Sequence, residues 1–281
     1  MLRIAVPNKG SLSEAAVAML KECGYATRRD AKELVLMDAD NEIEFFYLRP
    51  RDIAVYVGSG TLDGGITGRD LLLDSGSEAI ETMPLGFAAS TFRFAGRPGV
   101  AAGVEELAGT RIATSYPGLV RAHLAEHDVD AEVVRLDGAV ETSIMLGVAD
   151  VIADVVETGT TLRNQGLEVF GEPILRSEAV LIARQDTAGS DAMAVLRRRL
   201  QGVITAGTYV MVDYDIRVEL VDQACAITPG LESPTVSPLH DKGYVAVRAM
   251  VRRKGMNKVM DALFALGARG ILVTDIAACR L

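Results

Sequence analysis

One short pattern recurs along this chain and narrows the folds open to it. A brief apolar run is followed by a Gly- or Pro-containing loop and then by a stretch with helical spacing. Leu2–Val6 leads through Pro7-Asn-Lys-Gly10 into a segment whose apolar residues Leu12, Ala15, Ala16, Met19 and Leu20 share one face. Ser11-Leu-Ser-Glu14 reads as a capping box opening that helix. The layout returns at Arg111–Arg121, where Arg111-Ile-Ala113 matches Arg3-Ile-Ala5. A second pair echoes it: Leu62-Asp-Gly-Gly-Ile-Thr-Gly-Arg-Asp70 resembles Ala149–Gly159, each with an acid, a short strand, Thr/Gly and a helix start. Strands that alternate with helices give parallel sheets. The expectation is therefore two similar α/β lobes, with ligands at the C-terminal strand ends facing one cleft.

The richest segment is Val148–Gly166. Its apolar run carries Asp150 and Asp154 and feeds Glu157, Thr158, Gly159, Thr160 and Thr161, with a helix expected from near Leu162. Hydroxyls and free N–H groups at a helix start suit a phosphate, and acids just upstream suit sugar hydroxyls or Mg²⁺. An ordinary strand–turn–helix with Thr158 as N-cap is the alternative.

Beyond residue 184 the pattern changes. Arg184–Ser190 is polar, Asp191–Leu200 reads as a short helix, and Arg197-Arg-Arg199 as a solvated face. Tyr209–Ile216 alternates, Val218–Cys225 reads as a helix, and Tyr244–Arg252 alternates again. Met256–Leu266 is amphipathic and Ile271–Thr274 is a last strand. The order βαββαβ is that of a ferredoxin-like unit. The expected domains are 1–90 with a return segment at 184–208, then 91–183, then 209–281.

Composition adds exclusions. A net charge of −9 disfavours a general nucleic-acid surface, so an anionic ligand must be held by local donors. Cys23, Cys225 and Cys279 have no ligand spacing and suit a reducing, cytoplasmic compartment. No apolar stretch reaches the ~18 residues of a membrane span. His123, His127 and His240 are too few and scattered for a metal cage.

Four segments in order resemble the long form of the ATP phosphoribosyltransferase family: Val6-Pro-Asn-Lys-Gly10, Leu62–Gly68, Asp154–Thr161 and Ile227-Thr-Pro-Gly-Leu-Glu-Ser-Pro-Thr235. The resemblance covers the whole chain. It implies a cleft of the periplasmic-binding-protein type, Mg²⁺, and transfer of phosphoribosyl from 5-phosphoribosyl 1-diphosphate to N1 of ATP. It implies that Glu157, Thr158, Gly159, Thr160 and Thr161 hold the donor's 5-phosphate, and that Asp154 takes the ribose hydroxyls. Glu141 is the weaker candidate for that role, or a helix N-terminal acid.

Lys9 suits a diphosphate or ATP phosphate, against the reading of a surface lysine. One of Arg49 and Arg51 is expected to face the cleft, with Arg49 preferred. Asp70 suits the adenine amino group or a ribose, or is a plain helix cap. Tyr116 suits stacking on a base, or core packing. In the third domain the resemblance implies a histidine site at a subunit interface, with Asp215, Leu231, Ser233, Thr235 and Gly270. It further implies inhibition by histidine and AMP, and homo-oligomers that exchange between dimer and hexamer. Two rivals are a binding module without chemistry and a phosphoribosyltransferase of another acceptor class. The first has no use for an acid-then-Thr/Gly loop. The second places adjacent acids before its phosphate loop, whereas Asp150 and Asp154 are spaced.

Overall fold

The computed structural model describes all residues except 29, 31, 157–159, 241, 242 and 281, and excepting the side chain of Thr161. The chain forms two compact units, Met1–Arg197 and Arg198–Leu281. The first begins with β1 (Leu2–Pro7), α1 (Gly10–Glu22), β2 (Val35–Asp38), β3 (Ile43–Leu48), α2 (Pro50–Gly58), β4 (Gly64–Gly68), α3 (Arg69–Ser75) and β5 (Ile80–Pro84). It continues with β6 (Ser90–Gly96), β7 (Arg111–Thr114), α4 (Pro117–Glu126), β8 (Glu132–Arg135), α5 (Thr142–Met145) and β9 (Val151–Val156). Next come α6 (Thr160–Asn164), β10 (Glu168–Ser177), β11 (Ala179–Ala183) and α7 (Asp191–Thr208), within which the boundary falls.

Two sheets result, ordered β2-β3-β1-β4-β11-β5 and β10-β6-β9-β7-β8. In each, three parallel strands are followed by an antiparallel strand from beyond the crossover. β11 lies against β4 as β6 lies against β9. The chain therefore crosses between sheets twice, after β5 and after β10. This corrects the expected boundary, since strand 179–183 completes the first sheet instead of ending the second lobe.

The internal repeat is visible in the register. Ile4 and Ala5 pair with Gly64 and Gly65, and Ile112 and Ala113 pair with Val151 and Ile152. At the start of each pair an acid accepts from the arginine backbone. Arg3 N–H donates to Asp63 at 2.8 Å, and Arg111 N–H to Asp150 at 3.0 Å. Asp150 also takes the Arg111 guanidinium at 2.8 Å, so this acid closes the strand start and is not free for a sugar or metal.

Burial explains the strands. All of β4 and all of β11 are buried, because both are central strands of a sheet covered on both faces. β4 is Gly-Gly-Ile-Thr-Gly because its neighbours leave no room. A Cβ on Gly65 would lie 2.7 Å from Ile53 Cγ2 and 2.9 Å from Ala5 Cβ. Ala5, Ile53, Val57, Leu62, Val180 and Ile182 form the core between α2 and the first sheet. Phe92, Phe94, Ile112, Val120 and Val151 pack one face of the second sheet, and Ala95, Val140, Ile144, Ile152 and Leu162 the other.

Helix α2 starts with Pro50, preset for a first turn. Helix α1 does not use the expected capping box. It opens at Gly10, whose φ of +78° favours glycine, while the buried Ser13 hydroxyl donates to the Pro7 carbonyl at 2.6 Å.

The second unit holds β12 (Tyr209–Arg217), α8 (Val221–Ile227), β13 (Thr235–Pro238), β14 (Tyr244–Arg252), α9 (Met256–Leu266) and β15 (Arg269–Asp275). Its antiparallel sheet, β13-β14-β12-β15, is the ferredoxin-like arrangement. Val210, Val212, Tyr214, Val247 and Leu263 form its core, and the buried Tyr214 hydroxyl bonds Thr228 Oγ1 at 2.7 Å. Helix α8 starts at Val221, after a short turn, instead of at Val218.

Overpacking a filled core costs about 1–3 kcal/mol. Gly65→Val should lower unfolding stability by at least that amount, read as the urea midpoint, whereas Gly76→Ala, with open space around it and φ +59°, should cost less.

Candidate functional site

The candidate residues lie where the parallel strands end. Lys9 follows β1 and Arg49 follows β3, and these strands are neighbours, with Asn8 N–H donating to Leu48 O at 2.8 Å. Both side chains are exposed, and neither forms an ion pair with a described residue. Asp70 opens α3 after β4, Tyr116 precedes α4 after β7, and Asp154 lies near the end of β9. The topology therefore gathers all five at one edge of the two sheets.

Asp70 is only 7% exposed. Its Oδ1 accepts from Ser177 Oγ at 2.9 Å, and its own N–H donates back to that hydroxyl at 3.1 Å. A Cβ on Gly68 would run into this carboxylate, which accounts for the glycine. Tyr116 points its hydroxyl toward Asp70, and its ionisation is pushed up by burial first and by the Asp70 charge next. Its ring meets Phe92 edge-on at 5.1 Å and carries the Arg51 guanidinium 4.6 Å from its centroid. One ring face is thus already engaged by a cation, and the ring packs against the core of the second sheet.

Arg51, not Arg49, is tied into the structure. It donates to the Ser115 carbonyl at 2.7 Å and pairs with Asp74 at 2.9 Å. The other Asp74 oxygen accepts from the backbone N–H groups of Gly118 and Leu119 at 2.8 and 3.2 Å. An acid of α3 thereby caps α4 in the opposite lobe. Sequence reasoning passed over Asp74 and Ser177, because their partners lie 44 and 107 residues away and no local spacing signals them.

Asp154 sits on the strand face shared with Arg93, its cross-strand neighbour in β6. Burial raises its pKa above the usual carboxylate value, the Val155 N–H at 2.8 Å opposes this, the Glu141 charge raises it further, and Arg51 lowers it. Glu141 stands immediately before α5 and is near enough to be felt electrostatically. Beside them a cavity of about 480 Å³ is lined by Thr91, Arg93, Val156, Leu162, Arg163 and Arg176, among others. Of the donor loop, Glu157, Thr158 and Gly159 lie outside the described residues, as does the side chain of Thr161. Thr160 opens α6 two residues before the expected start and is exposed, with its hydroxyl 3.4 Å from Arg163.

In the second unit, Asp215 and Gly270 come together: a Cβ on Gly270, whose φ is +58°, would lie 3.8 Å from Asp215 Oδ2. Leu231, Ser233 and Thr235 lie on and before β13, on the far side of β14. A single chain therefore does not bring these five residues into one cluster.

Two α/β lobes, crossed twice by the chain and followed by a ferredoxin-like unit, define a two-lobed α/β protein with an appended domain. Residues 49–202 match the family described as ATP phosphoribosyltransferase, and residues 206–278 match the HisG C-terminal domain. The chain is 65% identical over 285 residues to a Streptomyces avermitilis protein named ATP phosphoribosyltransferase, and 67% identical over 286 residues to one from Arthrobacter sp. (strain FB24). Both matches cover 100% of each chain. A solved structure titled ATP phosphoribosyl transferase (HisG:HisZ) complex from Thermotoga maritima superposes with TM-score 0.62 and 29% identity, covering 73% of this chain and 98% of that one. The chain belongs to the ATP phosphoribosyltransferase family, in its long form, and is a pentosyltransferase of histidine biosynthesis.

A raised carboxylate pKa means that the ionised form costs folding free energy, and the cost grows as pH climbs above the ordinary Asp value. Asp154→Asn should therefore melt higher than the parent near pH 7, with the gap closing as pH falls below about 4. Equal melting curves at all pH values would contradict the burial argument.

Proposed function

We propose that the cleft joins N1 of ATP to C1 of 5-phosphoribosyl 1-diphosphate, giving phosphoribosyl-ATP and diphosphate. The observation that carries this reading is Asp154, half-buried near the end of β9, six residues ahead of Thr160, where α6 opens. As adenine N1 attacks, positive charge builds on the ribose and negative charge on the departing diphosphate. A fixed carboxylate beside the sugar offsets the first, and donors held in place offset the second.

Lys9 and Arg49, exposed at neighbouring strand ends, are free to reach phosphates of ATP or the leaving group. Backbone N–H groups and hydroxyls of Glu157, Thr158, Gly159, Thr160 and Thr161 would hold the 5-phosphate. Asp70, fixed by Ser177, would meet the nucleoside. Tyr116 would border it with its remaining surface.

Mg²⁺ fits this donor set in a limited way. Among the described residues no group of three His, Cys, Asp or Glu side chains is placed to hold a metal. Glu141 is close enough to Asp154 to raise its pKa, and Mg²⁺ usually uses one or two carboxylates with substrate phosphates. When bound through the diphosphate, the ion would neutralise the leaving group.

The reading extends to regulation: histidine at the second unit, with Asp215 toward its imidazole or ammonium, AMP as a second inhibitor, and a homo-oligomer of dimers and hexamers. Because Leu231, Ser233 and Thr235 stand apart from Asp215 in one chain, a site using all of them would be completed by a second copy. The cytoplasm is the proposed compartment, in keeping with three free cysteines. Among the described residues no helix is long and apolar enough to cross a membrane.

The test mixes the protein with ATP, the donor and Mg²⁺ and follows the ultraviolet absorbance of N1-alkylated adenine; folded protein without product would overturn the reading. Gly159→Val or Thr161→Val should raise the donor KM about ten- to a hundredfold, the worth of a lost charge-assisted bond, and leave the KM for ATP within about threefold. Asp215→Ala should raise the half-inhibitory histidine concentration by about tenfold or more on the same scale. Unchanged inhibition would remove Asp215 from the site.

A further inference from the structure

We propose that Asp74 is a positioning residue for phosphoribosyl transfer, a latch on α3 that sets the width and alignment of the cleft through α4 and Arg51. The proposal rests on the catalytic reading above and adds to it a group that touches neither substrate.

The geometry is specific. Asp74 has a side chain only 9% exposed, and its two oxygens are divided between lobes. Oδ1 accepts from the Gly118 and Leu119 N–H groups at 2.8 and 3.2 Å, at the start of a ten-residue helix whose N-cap residue, Tyr116, makes no side-chain cap bond. Oδ2 holds Arg51 Nη1 at 2.9 Å. That same nitrogen donates to Ser115 O at 2.7 Å. The carboxylate therefore meets both the positive end of a helix and a guanidinium.

The helices meet closely, since a Cβ on Gly118 would run into the Asp74 carbonyl, so glycine is required for this approach. Two groups of the site hang from the latch. Tyr116 immediately precedes α4 and lies under Arg51, and Asp154 lies within the field of both. Asp70, one helical turn before Asp74, makes the parallel tie to Ser177 and faces Tyr116. If the latch loosens, the lobe that carries Tyr116 and Asp154 on one sheet moves relative to the lobe that carries Lys9, Arg49 and Asp70.

In the proposed reading the 5-phosphate donors lie in the second lobe and Lys9, Arg49 and Asp70 in the first, so loosening the latch should affect binding less than the step that needs both lobes in register. Misplacement by about 1 Å can cost on the order of a hundredfold in rate. In Asp74→Ala, kcat should fall about ten- to a hundredfold, with each KM within about threefold, and Asp74→Glu should recover part of the loss. Amide exchange at Gly118 and Leu119, measured on the unliganded full chain, should quicken in Asp74→Ala and stay slow in the parent. A role confined to stability would lower the melting temperature without this kcat-against-KM split.

Should Asp74→Ala fail to fold, Gly118→Ala, which forces the helices apart and keeps every charge, is expected to give the same split. A folded variant of either kind with kcat within twofold of the parent would overturn the proposal. So would unchanged exchange at Gly118 and Leu119. A parent that makes no phosphoribosyl-ATP would instead refute the catalytic reading, and the exchange measurement would still decide whether the latch exists.

Discussion

Two sets of short parallel strands end on the same side of the first unit, and carboxylates of one seven-residue helix, α3, join those ends. Asp70 binds Ser177 in the second crossover, and Asp74 binds the start of α4 and Arg51. Neither acid makes a simple surface pair. Both are nearly buried, and a buried carboxylate is tolerated only when its oxygens are filled by donors. The ties between lobes follow from that requirement, and they place Tyr116, Arg51 and Asp154 within one electrostatic neighbourhood.

The acids of the chain divide by what surrounds them. Asp63 and Asp150 close the strand starts on arginine backbones, and both were read from sequence as parts of a repeat. Asp150 is held below its usual pKa, chiefly by the Arg111 side-chain bond. Asp154, four residues further on and within β9, is shifted the other way by burial. Two acids four residues apart thus have opposite environments, and the one whose charge is least compensated by neighbours stands near the end of β9, toward α6. A shift caused by burial beside a cavity is one mark of a functional position, whereas a shift caused by an ion pair, as at Asp150, marks a structural one.

Much of the architecture was legible in local patterns. The Arg-Ile-Ala match marked the two strands that occupy equivalent places, β1 beside β4 and β7 beside β9, and the alternation with helices marked both pairs as parallel. The ferredoxin-like order could be read from alternation and an amphipathic helix ended by Gly267. Less legible were the edges of elements. The Ser11–Glu14 box looked like a helix start, yet Ser13 turns inward to Pro7, and Gly10 begins the helix. Strand 179–183 was assigned to the wrong lobe because an all-apolar run does not state which sheet receives it.

The amino-acid order by itself determined the repeat, the placement of acids and Thr/Gly loops at strand ends, and the appended unit, since each depends on residues within one or two turns of one another. Only the tertiary structure decided which charges are spent and which are left. Arg51 and Arg49 are two residues apart and alike in sequence. The first is committed to Asp74, Ser115 and Tyr116, and the second is exposed. The physical reason is distance along the chain: a hydrogen bond between residues 44 or 107 apart leaves no local spacing to read, and it forms only when the lobes have folded and met.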